Sequence, residues 1–129
     1  MKKLIFFLLL VTALGAAAFV ENPNSLVGRW EYVQNTPNGP FRLQVNFRAN
    51  NTFEGYVNNK AFVQGTYWVK NDTLGMSDAI CNSAYYGTYK LTYIKTDSLR
   101  FTTVQDTCTP RRRGTGGFTF AKVKANPKK

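Results

Sequence analysis

Histidine is absent from the chain. That removes Ser-His-Asp and Cys-His chemistry and the commonest metal ligand. Cysteine is scarce, with only Cys81 and Cys108 present. Acids are few as well: Glu21, Glu31, Glu54, Asp72, Asp78, Asp97 and Asp106 stand against 17 Lys and Arg. Alternation turns Glu31 and Glu54 outward, and Asp72 and Asp97 fall in tight turns, so no convergent carboxylate pair is expected for acid–base work. Glycine-rich phosphate loops, helix-borne metal motifs and nucleic-acid signatures are missing too. The expectation is a protein that is not an enzyme and has no cofactor, no metal and no nucleic-acid partner.

Long apolar runs are also missing, apart from Leu4–Leu14. A membrane-spanning helix needs about 20 apolar residues, which this run does not supply. It follows Lys2 and Lys3 and precedes the small residues Gly15 to Ala18, the layout of a secretory signal peptide. The expected leader is 1–18, cut after Ala18, leaving one domain over 19–129. No cysteine lies beside the cut, so a lipoprotein anchor is not expected. The product should be an exported monomer, periplasmic or extracellular. Taking Lys2 and Lys3 from the net charge of +10 leaves +8. Most of it sits at one end: Arg111, Arg112, Arg113, Lys122, Lys124, Lys128 and Lys129 follow one another with no acid among them.

Period-two alternation fills the rest, and helical periodicity does not appear after the leader. In FRLQVNFRA, Phe41, Leu43, Val45, Phe47 and Ala49 face one way, and Arg42, Gln44, Asn46 and Arg48 the other. That is a half-buried antiparallel strand. The turn signals TPNGP, ANNT, VNNK, KNDT and KTDS recur at short intervals, and Asn and Asp tolerate the left-handed backbone of tight turns. Strands are predicted at Val27–Gln34, Phe41–Ala49, Thr52–Val57, Phe62–Lys70, Thr73–Ser77, Gly87–Ile94, Ser98–Val104 and Gly117–Val123. A repeated Gly-Thr-Tyr strand, Asp turn and Leu-led strand places Tyr67 and Tyr89 in equivalent positions.

Eight hairpin-linked strands can close into an up-and-down antiparallel barrel, which removes unpaired edges. Alternate loops then share an end. The tight NN, ND and TD turns gather at one end. NTPNGP, the Cys81 segment and DTCTPRRRGTGG (Asp106–Gly117) gather at the other, the loop-rich end. Export and this shared end both favour a Cys81–Cys108 disulfide, although a sandwich topology could bring the two together as well. Closing the segment would contribute roughly 3–4 kcal/mol.

LVGRW (Leu26–Trp30) resembles the lipocalin Gly-x-Trp signature, and FAK (Phe120–Lys122) resembles the aromatic-x-basic element of a last strand. The run C…GTY…DSL…DTCTPR is similar to small bacterial secreted lipocalin-like proteins of the calycin superfamily. The middle lipocalin motif has no counterpart, the chain is short, and the last-strand cation is Lys. The resemblance implies an eight-stranded lipocalin-like all-β barrel with one disulfide, and a floor plugged by Trp30 beneath a cation, here Lys122. The other reading makes Trp30 ordinary core and sends Lys122 to water. The resemblance also gives Arg111, with Asp106, a structural place in the Asp-x-Cys-x-x-Arg loop.

The expected interior is aromatic, with Tyr32, Phe41, Leu43, Tyr89 and Phe118 near the mouth and Phe47, Tyr67, Phe101 and Phe120 deeper. These could line a cavity for a small hydrophobic or amphipathic molecule, or fill a small barrel outright. Arg112 and Arg113 could hold a ligand's anionic group or an acidic surface, or could simply be solvated. Two functions stand: a barrel binding a small apolar or amphipathic ligand at the loop-rich end, or an interaction protein engaging polysaccharide, lipopolysaccharide or protein, protease inhibition included.

Overall fold

The computed structural model describes residues 25–124, so the expected leader and the last part of the basic tail lie outside the described residues. The strands are β1 (Gly28–Thr36), β2 (Gly39–Phe47), β3 (Thr52–Val57), β4 (Lys60–Lys70), β5 (Thr73–Asp78), β6 (Gly87–Lys95), β7 (Ser98–Gln105) and β8 (Thr119–Lys122). Each pairs antiparallel with the next, and β1 pairs with β8, closing an up-and-down barrel. Strand pleating turns alternate side chains inward. Trp30, Phe47, Leu74, Tyr89, Leu99, Phe101 and Phe120 are fully buried inside. Phe47 meets Tyr67 edge to face at 5.0 Å, and Phe101 meets Phe120 likewise at 5.1 Å. Such aromatic pairs add about 0.5–1.5 kcal/mol beyond their buried area.

Asparagines make the tight turns. Asn58 and Asn59 both take positive φ, 49° and 70°, the backbone of a two-residue type I′ hairpin. Asn51 and Asn71 are left-handed as well, at 67° and 56°.

Two sequence expectations need correction at the loop-rich end. NTPNGP is not a long loop: Thr36 pairs with Gly39, leaving only Pro37 and Asn38 between strands. Pro40 lies within β2 opposite Asn35, close enough to the strand start for its missing N–H to be tolerated. The segment before the last strand is not an irregular loop either. It holds a helix, α1 (Thr109–Thr115), and β8 begins at Thr119 rather than Gly117. Pro110 opens this helix, where a missing N–H costs nothing.

The opposite end is closed by Trp30. Its Nε1 donates to the Leu26 carbonyl at 2.9 Å. Lys122, paired with Trp30 across the β1–β8 seam, holds its Nζ 5.4 Å from the indole centroid. A cation over a tryptophan contributes about 0.5–2 kcal/mol. Gly28, at φ 134°, leaves the lysine room to cross, since a Cβ there would lie 2.9 Å from Lys122 Cε.

Candidate functional site at the loop-rich end

The β5–β6 and β7–β8 connections meet at this end and are joined by the Cys81–Cys108 disulfide, with Cα atoms 5.8 Å apart. That separation lies in the ordinary range for a disulfide. Cys108 is buried and immediately precedes α1, so the bond holds the helix over the barrel mouth.

From α1, Arg111 points down into the barrel and is almost fully buried. Its Nε and Nη2 donate to the two carboxylate oxygens of Asp106 at 2.7 and 2.9 Å, a bidentate fork. Its Nη1 donates to Asp78 Oδ2 at 3.1 Å. Asp106 also accepts from the Tyr89 hydroxyl and, at 2.9 Å, from the Cys108 backbone N–H. The expectation that no carboxylates converge is therefore overturned: Asp78 and Asp106, both buried, meet on one guanidinium. The two strands that carry them, β5 and β7, flank β6, so only the strand order brings their ends together, and neither residue's local pattern signals it. The cluster leaves no room for substitution nearby, since a Cβ on Gly87 would run into the Asp106 carboxylate.

These contacts set the titration of the cluster. Burial alone would raise the Asp106 pKa, but Arg111, Tyr89 and the Cys108 N–H together hold it below the usual carboxylate range. Burial, then the hydrogen bond to Asp106 and its charge, drive the Tyr89 hydroxyl well above its ordinary value. Burial opposes the charge on Arg111, yet its two aspartates raise its pKa. The guanidinium is thus a fixed structural charge. Removing it would leave two buried carboxylates unpaired, which costs about 3–5 kcal/mol in comparable buried pairs.

Beneath this roof lies an apolar cavity of about 80 Å³. Leu43, Phe47, Phe53, Val63, Met76 and Phe101 form its walls, and Asp78, Pro110, Arg111, Gly114 and Thr115 its roof. Phe62 and Ile80 line it too, yet are 50% and 45% exposed. The same two side chains border a shallow depression on the outer wall, so they form a lip between interior and surface. A β-bulge at Gly55 and Tyr56, opposite Ala61 and Val63, places Phe62 there. The sequence mark of this bulge is the adjacent pair Phe62–Val63, which breaks alternation.

The expected mouth residues do not act together. Only Leu43 lines the cavity. Tyr32 stacks on Phe118 at 4.4 Å, and both, with Phe41, are half-buried against the core. Tyr89 is fully buried beneath Asp106. Aromatics therefore fill most of the barrel, and the remaining space lies beside β3–β5 and α1. Arg112 and Arg113 are exposed on α1, and Arg112 Nη1 donates to the Asp106 carbonyl at 3.1 Å. Among the described residues there is no cluster of His, Cys, Asp and Glu suited to a metal, and no helix long and apolar enough to cross a membrane. No protein-family model matches the chain, and none of the curated proteins compared with it is similar in sequence.

Proposed function

We propose that this is an exported, lipocalin-like barrel that binds an amphipathic small molecule non-catalytically, taking the ligand's apolar tip into the cavity beneath α1. The observation that carries this is the lip: Phe62 and Ile80 are exposed, and both continue into an apolar cavity. A dry apolar cavity of about 150 Å³ accepts benzene, so about 80 Å³ suits a chain end or branched methyl group rather than a whole ring. The rest of the ligand lies over the lip. The barrel topology, the Trp30–Lys122 floor and the disulfide support the lipocalin-like, exported reading. Arg112 and Arg113, on the helix that roofs the cavity, favour a ligand with an anionic head; a wholly protein or polysaccharide partner at these arginines is the second reading.

Methyl NMR with decanoate as probe tests the proposal. Decanoate should shift the Met76 and Leu43 methyl resonances and leave Leu91, outside the cavity lining, unmoved. Ile80→Asp should weaken the shift without unfolding the barrel. If Met76 does not respond to decanoate or to decanol, the cavity is not a binding site.

A further inference from the structure

Trp68 lies outside the barrel. Its indole covers Gly75 on the neighbouring strand, where any Cβ would run into the ring. One ring face is thus held against the sheet while the residue stays 38% exposed. Tyr86 stands beside it, with ring centroids 6.4 Å apart, 37% exposed, its hydroxyl 2.8 Å from Thr66 Oγ1. Neither aromatic belongs to the core cluster, and neither borders the cavity. Covering a bare glycine backbone accounts for one face of the indole and leaves the other unused.

The strand registers show what surrounds this ring. Residues paired across a sheet share a face. Trp68, Gly75, Thr88 and Gln105 form one outward row across β4 to β7. Lys70, Thr73, Lys90 and Thr102 form the next. Thr92 and Arg100 follow, with Arg100 bonded to Thr119 Oγ1 at 3.2 Å. These rows contain no acid; Asp72 and Asp97 lie in the turns at their end. Neither Lys70 nor Lys90 makes an ion pair among the described residues. With strands about 4.8 Å apart, the two lysines are rooted about 10 Å apart, and Lys70 stands about 7 Å along the strand from Trp68.

We propose that this outer face of β4–β7 binds an acidic polysaccharide, with a sugar ring stacked on Trp68 and its carboxylates paired with Lys70 and Lys90. A pyranose presents an apolar C–H face to an aromatic plane and a rim of hydroxyls around it. Here the plane is Trp68, and the rim meets Thr66, Thr73, Thr88 and the Tyr86 hydroxyl. Two separated lysines match charges spaced along a polymer, and ammonium–carboxylate hydrogen bonds are the stronger kind. An apolar protein partner would want aliphatic neighbours around the tryptophan, and threonines and lysines stand there instead. A single-stranded nucleic acid also stacks on aromatics beside cations. The disulfide favours the glycan, because such bonds persist in oxidising compartments. The site is separate from the cavity beneath α1 and does not depend on it.

Of the chain's two tryptophans, Trp30 is fully buried, so acrylamide quenching reads Trp68 alone. Oligogalacturonate should protect Trp68 in the full chain. Lys70→Ser with Lys90→Ser should weaken that binding by about tenfold or more at unchanged melting temperature, and Arg112→Ser with Arg113→Ser should leave it intact. The proposal is overturned if oligogalacturonate gives no protection, or if the lysine variant binds as tightly as the parent. It is overturned equally if the arginine variant abolishes protection, or if dextran or oligothymidylate protects as well as the uronate.

Discussion

At Asp106 a single carboxylate accepts from a guanidinium, a phenol and a backbone amide, and this makes folding depend on pH at both extremes. Its pKa is held down in the fold. The stability it contributes is therefore complete above the ordinary Asp value of about 3.9 and is lost as the pH falls from there through the lowered value. Tyr89 has the opposite sign. Its pKa is raised, so its contribution is complete below the ordinary tyrosine value of about 10 and is lost as the pH rises beyond it. Burial raises Tyr67 and Tyr93 likewise. Melting temperature followed by circular dichroism should show a plateau from about pH 4 to 10, falling on both sides. Tyr89→Phe should lower the melting temperature across the plateau, through a loss of about 1–3 kcal/mol of unfolding free energy as Asp106 loses a buried donor, and should soften the alkaline fall. A stability maximum confined to acid would contradict this assignment.

Helix α1 is short, and two anchors hold it: the disulfide before its first residue and the Arg111 fork from its middle. Gly114 weakens it. Nothing lies within 4 Å of the Cβ an alanine would add there, so Gly114→Ala should stabilise the protein by about 0.5–1 kcal/mol. Urea denaturation measures this, and a net loss would mean that the methyl group does not fit the roof of the cavity. The helix also marks the limit of what the sequence makes legible. Strands announce themselves because the pleat repeats every two residues, and FRLQVNFRA shows that repeat over its whole length. Seven residues reading TPRRRGT are too few for a helical period, which needs about 11 or more, and tertiary anchors rather than propensity fix them. The disulfide and the Trp30–Lys122 pairing follow from knowing which loops and strands adjoin. The Asp78–Arg111 bond and the cavity do not, because they depend on how far aromatics fill the interior and on a bulge that re-aims Phe62.

The barrel is a ring that is weakest at its short last strand, which meets β7 at three residue pairs and β1 at two. β6 and β7 pair along most of their length, while β1 and β8 meet only at Trp30–Lys122 and Glu31–Ala121, with Val123 N–H reaching the Arg29 carbonyl at 2.8 Å. Short ladders open first, because fewer bonds must break together. Hydrogen exchange should therefore release the Val123 amide before the amides shared by β6 and β7. Equal protection across both seams would show that the barrel opens only as a whole.

The disulfide has an electrical consequence as well. It takes both sulfurs out of titration, and the chain holds no histidine. Histidine and free thiols are the side chains whose ordinary values lie nearest neutrality. Apart from its amino terminus, the molecule thus carries a constant charge from mildly acid to mildly alkaline surroundings. Binding of the acidic polysaccharide proposed above would therefore not be switched by a change of acidity over that range. Ionic strength is the remaining control, through a screening length of about 8 Å at physiological salt.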